Sequence, residues 1–223
     1  VKISAHRGTV TDRNGEVLAV STPVDSIWVN PGVLVAAPEQ ILALAKLLDM
    51  NSSSLNEKVS RSSAKQFLWL KRHMNPSDAA RIIDAGIAGV YSQREYRRYY
   101  PAGEVIGHLL GFTNIDDDGQ EGLELAFDHK LAGKSGSKKV LKDRLGRTVE
   151  DVESVQTPVH GQNVITSIDL RMQYFAYRAL QSAVNEHRAK SGSAVVIDVN
   201  TGEVLAMVNQ PSYNPNNRSS FSA

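Results

Sequence analysis

The stretch Arg7-Gly8-Thr9-Val10-Thr11-Asp12-Arg13-Asn14-Gly15-Glu16-Val17-Leu18-Ala19 constrains the fold more than any other part of the chain. Val10 precedes Asn14-Gly15 and Val17 to Val20 follow it. Apolar residues thus flank a dipeptide that tolerates positive φ, and two short strands joined by a tight hairpin are predicted. Such a hairpin brings Arg7, Asp12 and Arg13 close together. Two guanidiniums beside one carboxylate can share forked hydrogen bonds that fix a loop, a cluster that an ordinary solvated hairpin does not need.

The 223 residues, 41% of them hydrophobic, suffice for one large or two modest cores. A net charge of +1 argues against a nucleic-acid-binding domain, while the mildly basic composition is compatible with anionic polymers or lipid nearby. The absence of cysteine excludes disulfides, thiolate metal sites and a cysteine nucleophile, and it fits an oxidising compartment. No stretch approaches the roughly 20 apolar residues that span a bilayer, and no signal-like leader opens the chain, so it reads as part of a longer protein.

Local signals along the chain point to an α+β fold. A turn at Val29-Asn30-Pro31-Gly32 leads to a proline-opened amphipathic helix from Pro38, with Ile41, Leu42, Leu44, Ala45, Leu47 and Leu48 as its apolar series. A second short helix is predicted over Ser54 to Ser63, and a strand over Phe67 to Leu70. Asn75 then caps a helix that has Pro76 at its first position and continues through Ile83. The leucines of this lobe and Trp69 are read as core. Residues 138 to 152 predict a basic two-stranded ribbon bent around Gly146. Thr157-Pro158 and His160 to Asn163 read as a linker-like turn between modules. After the strand Val164 to Thr166, Asp169 caps a helix to about Ala189 with Leu170, Tyr174, Tyr177, Leu180 and Val184 on one face. A hairpin about Asn200-Thr201-Gly202 closes the chain.

Several segments invite chemistry. Arg94, Arg97 and Arg98 stand among tyrosines, Tyr96 included, and both residue types offer flat stacking faces. The acidic run Asp116-Asp117-Asp118 with Glu121, Glu124 and Asp128 offers ordinary charge partners instead. Asn114-x-Asp116-x-Asp118-Gly119 has the opening of a calcium loop, but its twelfth place is Leu125 where a bidentate glutamate is needed, so no metal site is assigned. Ser62-Ser63-Ala64-Lys65 and Ser135-Gly136-Ser137-Lys138 have serine and lysine at a catalytic spacing, yet four-residue strings of common residues recur by chance. His108 is read as structural. The lysines of the ribbon, Lys138 and Lys142 among them, could touch a partner; on an exposed antiparallel pair such charge also blocks edge-to-edge aggregation.

The hairpin segment resembles the first motif of class B penicillin-binding proteins, the enzymes that cross-link peptidoglycan. The resemblance continues in order through Arg98-Tyr99-Tyr100-Pro101-Ala102-Gly103-Glu104 with His108, Gly111 and Phe112, then Glu121-Gly122-Leu123-Glu124 with Asp128 and Leu131. It goes on through Lys142-Asp143-Arg144-Leu145-Gly146-Arg147, Ser167 to Gln173 and Gly192 to Asn217. Tyr99 to Val105 and Gln210 to Asn217 are most similar to the division-specific type. The resemblance implies a non-catalytic pedestal over residues 1–164 and the truncated start of a transpeptidase domain over 165–223; the alternatives are a purely scaffolding or allosteric interaction module of the division complex and an elongation-specific class B relative. Its motif residues here are Arg7, Gly8, Asp12, Arg13, Gly15, Arg98, Pro101, Gly103, His108, Glu121, Gly122, Asp143, Arg144 and Gly146. Arg94, Tyr96, Lys138 and Lys142 are candidate partner contacts.

It further implies an intact serine D,D-transpeptidase that is anchored by one membrane helix on the periplasmic side of the bacterial inner membrane. Its expected partners are other division and glycan-polymerising membrane proteins and peptidoglycan, not nucleic acid, and no cofactor is expected. No Ser-x-x-Lys, Ser-x-Asn or Lys-Thr-Gly stands here in the order and place that the family requires, so no catalytic residue is assigned.

Overall fold

The computed structural model describes residues 2–35, 37–142 and 148–217. Its first elements are β1 (Lys2–Ile3), β2 (Val10–Thr11), β3 (Val17–Val29), α1 (Pro31–Leu34), α2 (Pro38–Leu48), α3 (Ser52–Arg61), β4 (Leu68–Met74), α4 (Pro76–Asp84) and β5 (Val90–Tyr99). Short helices α5 (Gly107–Leu110), α6 (Gly122–Ala126) and α7 (Asp128–Leu131) come next, followed by β6 (Gly136–Lys142) and β7 (Thr148–Gln156). The chain ends with β8 (Val164–Ile165), α8 (Leu170–Glu186), β9 (Gly192–Ile197) and β10 (Val204–Gln210). The fold is α+β. The chain divides into two compact units, one formed by Val1–Ser4, Pro23–Arg97 and Ser135–Pro158, the other by Ala5–Thr22, Arg98–Lys134 and Val159–Ala223.

In the first unit β3 pairs antiparallel with β4, Trp28 opposite Trp69 and Val29 opposite Leu68, and β5 also pairs with β3. One sheet face supplies Ile27, Val29, Leu70 and Val90 to a core completed by Leu34, Ile41, Leu44, Leu48, Leu55, Val59 and Ile82 from the helices. Each such side chain contributes about 1.5–3 kcal/mol by leaving water. Local chemistry sets the helix ends. Pro38 opens α2 and Asp49, at φ 55°, closes it, while Asn51 and Asn75 cap α3 and α4 by accepting the Ser54 and Ser77 amides. The remaining strands, β1, β6 and β7, form an antiparallel ribbon.

Two expectations for this unit change. Trp69 is only half-buried: its ring meets Phe67 edge-on at 4.8 Å and carries the Arg72 guanidinium 5.1 Å from its centroid, because alternation along β4 sends it away from the core that Leu70 enters. On α2, Leu42 and Leu47 are exposed, since the stripe that faces the core is narrower than the apolar series.

In the second unit β2 and β3 form the expected hairpin, with Val10 opposite Ala19, and β8 adds in parallel beside β2. The loop is longer than the expected turn. Asp12 and Glu16 close it (N–O 2.8 Å), and of the Asn14-Gly15 pair only Gly15, at φ 89°, is left-handed. The core gathers Val10, Leu18, Ala19, Tyr100, Ile106, Leu110, Leu131 and Ile168. Helix α8 packs on the β9–β10 hairpin and ends at Glu186, earlier than expected.

The buried face of α8 is Gln173 and Tyr177, not Tyr174, which is exposed. Gln173 outcompetes the aromatic because its amide donates to Val105 O and Met207 O and accepts from Met207 N, all at 2.8 Å. The supposed linker is stitched in as well. Val159 exchanges two backbone bonds with Lys134, Gly161 N donates to His6 O, and Gln162 N donates to Lys130 O.

Candidate functional site

The residues singled out in the hairpin motif do not cluster with one another, which corrects the expected charge cluster. Each instead reaches a distant segment of the second unit. Arg7, 2% exposed, donates from Nε to Glu124 Oε2 (2.6 Å), from Nη1 to Asp128 Oδ1 (2.7 Å) and Asp117 O (3.1 Å), and from Nη2 to Glu124 O (2.7 Å). Glu124, on α6 and fully buried, offers its other oxygen to Arg98 Nε at 2.6 Å. One carboxylate therefore bridges two buried guanidiniums, and Asp128 supplies the second negative charge. Arg7 directs its donors to three sides of its fork, a geometry lysine cannot match.

Asp12 serves a different purpose. Its carboxylate accepts the amides of Asn14 (2.7 Å), Glu16 (2.9 Å) and Leu170 (3.1 Å), so it shapes the β2–β3 loop and tethers it to the first residue of α8. Burial pushes its carboxyl up, but these amides outweigh that and hold it below the ordinary value. Arg13 turns outward to Glu203 at 3.2 Å. Asp117 departs from the rest. Burial raises its carboxyl to about 6 against the pull of Arg7 and Arg98.

Three glycines of the motif strings, Gly8, Gly111 and Gly122, sit where backbones touch, whereas Gly15 stands in open space. A Cβ on Gly8 would lie 1.9 Å from Gln162 O, one on Gly111 2.0 Å from Glu121 O, and one on Gly122 2.6 Å from Gly111 N. Gly103, at φ 53°, ends the turn that Pro101 enters, closed by Gly103 N on Tyr100 O at 3.0 Å. Glu121 Oε2 accepts from the Tyr213 hydroxyl at 2.9 Å, and His108 Nε2 lies 2.9 Å from Pro211 O.

Asp143, Arg144 and Gly146 lie outside the described residues. Lys138 and Lys142 fall on β6 opposite Ser154 and Thr148. Of the candidate partner contacts in the first unit, Tyr96 is half-buried and Arg94 is exposed but paired with Asp25 at 2.7 Å. Asn114 Oδ1 accepts the Asp116 and Asp118 amides and its Nδ2 donates to Asp118, so its side chain folds back onto its own turn.

A cleft of about 830 Å³ in the second unit has a largely apolar lining of Ala102, Val105, Leu170, Tyr174 and Phe175, with Asp12, Glu16 and Arg171 among its polar groups. The Arg7–Glu124–Arg98 knot joins residues far apart in the chain through short, directional, charge-assisted hydrogen bonds, and so fixes the backbone segments that carry them. Sequence reasoning took Glu124 only as one of several acidic charge partners for the arginines, which its bond to Arg98 bears out, and gave no role to Gln173, Tyr213 or Asn216. The motif strings contain them, but nothing local marks a charged or amide side chain for burial.

Comparison with known proteins identifies this architecture. The penicillin-binding protein dimerisation domain matches residues 2–166, and the penicillin-binding protein transpeptidase domain matches residues 192–222. The chain belongs to the penicillin-binding protein family. It is 45% identical over 219 residues to a probable peptidoglycan D,D-transpeptidase, PbpC, of Pseudomonas aeruginosa, and 44% identical over 223 residues to peptidoglycan D,D-transpeptidase FtsI of Escherichia coli K12. Both alignments cover 98% of this chain but only 39% and 38% of those proteins, so the chain spans about two fifths of their length. The same fold occurs in penicillin-binding protein 2X of Streptococcus thermophilus (TM-score 0.66, 24% identity, 96% of this chain and 36% of that one). It also occurs in the complex between penicillin-binding protein PBP2 and MreC from Helicobacter pylori (TM-score 0.70, 22% identity, 98% and 44%).

Proposed function

We propose that this chain is the non-catalytic pedestal of a septal class B peptidoglycan D,D-transpeptidase, residues 1–164, with the start of the transpeptidase domain from residue 165. The intact protein cross-links stem peptides during division: a serine beyond this chain is acylated by one peptide and an amine of a neighbouring strand resolves the acyl-enzyme. The observation that carries the reading is the order of the two domain matches along a chain that is 44–45% identical to D,D-transpeptidases.

The pedestal stands on the periplasmic face of the inner membrane, joined to one anchor helix of the intact protein. No helix among the described residues is long and apolar enough to cross a membrane. Its partners are division and glycan-polymerising membrane proteins, met through the Arg94–Tyr96 strand and the β6 lysines Lys138 and Lys142. That PBP2, a protein of the same fold, forms a complex with MreC supports a protein partner for this kind of module.

Intact mass before and after excess labelled penicillin tests the reading. The chain alone should stay at 24.3 kDa without an adduct, and the intact protein should gain one. An adduct on the chain itself would refute the pedestal assignment.

A further inference from the structure

Residues Gln210 to Asn217, within the span matched by the transpeptidase domain, are fastened to residues 100–121, within the span matched by the dimerisation domain. The Asn216 amide donates from Nδ2 to Tyr100 O (2.8 Å) and accepts Tyr100 N–H at Oδ1 (3.0 Å), satisfying both backbone groups of a residue that is 2% exposed. The Tyr213 hydroxyl reaches Gly107 O (3.1 Å) and Glu121 Oε2 (2.9 Å), and its ring meets His108 edge-on at 4.9 Å. Ser212 Oγ donates to Glu104 O at 2.5 Å. The fit is close enough that a Cβ on Gly107 would lie 2.3 Å from Tyr213 O and 3.5 Å from Pro215 Cδ.

Most of these bonds end on main-chain groups of residues 100–107, which have fixed positions, so they orient the segment as well as hold it. Gln173 adds a second tie by bridging Met207 of β10 to Val105. We propose that Gln210–Asn217 is a latch that sets the attitude of the transpeptidase domain on the pedestal, with Asn216 and Tyr213 as positioning residues for acylation in the intact enzyme. The proposal rests on the transpeptidase reading above.

The test uses the intact protein and the second-order rate of acylation by fluorescent penicillin, with thermal unfolding followed in parallel. Asn216→Ala removes both bonds to Tyr100. Gly107→Ala wedges the latch from the other side. Tyr213→Phe removes a single oxygen and keeps the ring, so it tests the latch even if the other two fold poorly.

Each variant should acylate roughly tenfold more slowly per folded molecule, and the Asn216→Ala/Gly107→Ala double variant should be no slower than the slower single, because both release one device. A latch with only a structural role would lower the melting temperature and leave the rate per folded molecule unchanged, and that result overturns the proposal. Wild-type protein that takes up no penicillin would overturn the transpeptidase reading and this proposal with it. Normal wild-type uptake with unaffected variants overturns the latch alone.

Discussion

Glu124→Gln is the most demanding test of the second unit. Glu124 is fully buried, and the Arg7 and Arg98 side chains that it bridges are each 1% exposed. Glutamine keeps the shape but removes the charge and turns an NH₂ toward one of the two guanidiniums, leaving a buried cation facing a donor. Breaking a buried pair in this way costs about 3–5 kcal/mol. At roughly 2–4 °C per kcal/mol for a chain of this size, the unfolding transition should fall by about 6–20 °C.

The control is Glu57→Gln on α3. Glu57 meets Arg61 at 2.5 Å, but the two side chains are 60% and 77% exposed, so solvent screening leaves the pair worth at most about 1 kcal/mol. Calorimetry and near-UV dichroism of both variants against wild type give the comparison. If Glu124→Gln melts within about 1 kcal/mol of wild type, as Glu57→Gln should, then the knot contributes no more than a surface pair and the argument from burial is wrong.

Asp117, raised by burial to about 6 from an ordinary 3.8, contributes stability that is complete below the unfolded value and lost as pH rises through about 6. Asp117→Asn should remove that downward step from chemical denaturation midpoints measured between roughly pH 4 and 7, and an unchanged profile would contradict it. Asp12→Ala should cost about 1–3 kcal/mol and speed amide exchange at Leu170, whose N–H it accepts. Because the Asp12 carboxyl is held below its ordinary value, its stabilisation is present above about pH 4 and lost as pH falls through the lowered value; acid denaturation of Asp12→Ala should lack that component. Gly161→Ala, whose Cβ would lie 1.7 Å from Leu131 O, should destabilise by about 2 kcal/mol or more in denaturant titration, whereas Gly86→Ala, with nothing within 4 Å, should cost only the roughly 1 kcal/mol of its left-handed backbone.

Local signals carried as far as local physics reaches. Pro38, Asn75 and Asp169 mark helix starts because a proline ring and a capping oxygen act on the next three residues, and helices begin at all three places. The Gly15 hairpin was legible for the same reason, although the three-residue loop depends on Asp12 accepting two amides within it. The partner of Arg7 lies 117 positions away, and no pattern near residue 7 encodes it. Gln173 shows the limit of reading apolar periodicity: a face can be buried through an amide that satisfies strand and loop at once, while the neighbouring Tyr174 stays in solvent. Trp69 departs from expectation for the simpler reason that large aromatics on a sheet occupy either face.

The motif residues that looked like chemistry are explained by how the second unit is assembled. Three separated stretches, Ala5–Thr22, Arg98–Lys134 and Val159–Ala223, must converge, and closing each intervening loop costs conformational entropy. Apolar packing alone would let such stretches slide, since it is non-directional. Directional bonds remove that freedom: Arg7 ties the first stretch to the second, Asp12 and Arg13 tie the first to the third, and Asn216 ties the third to the second. Glycines at positions 8, 111, 122 and 161 then allow the backbones to approach as closely as those bonds require. Charged and amide side chains of the second unit therefore specify how this chain closes on itself.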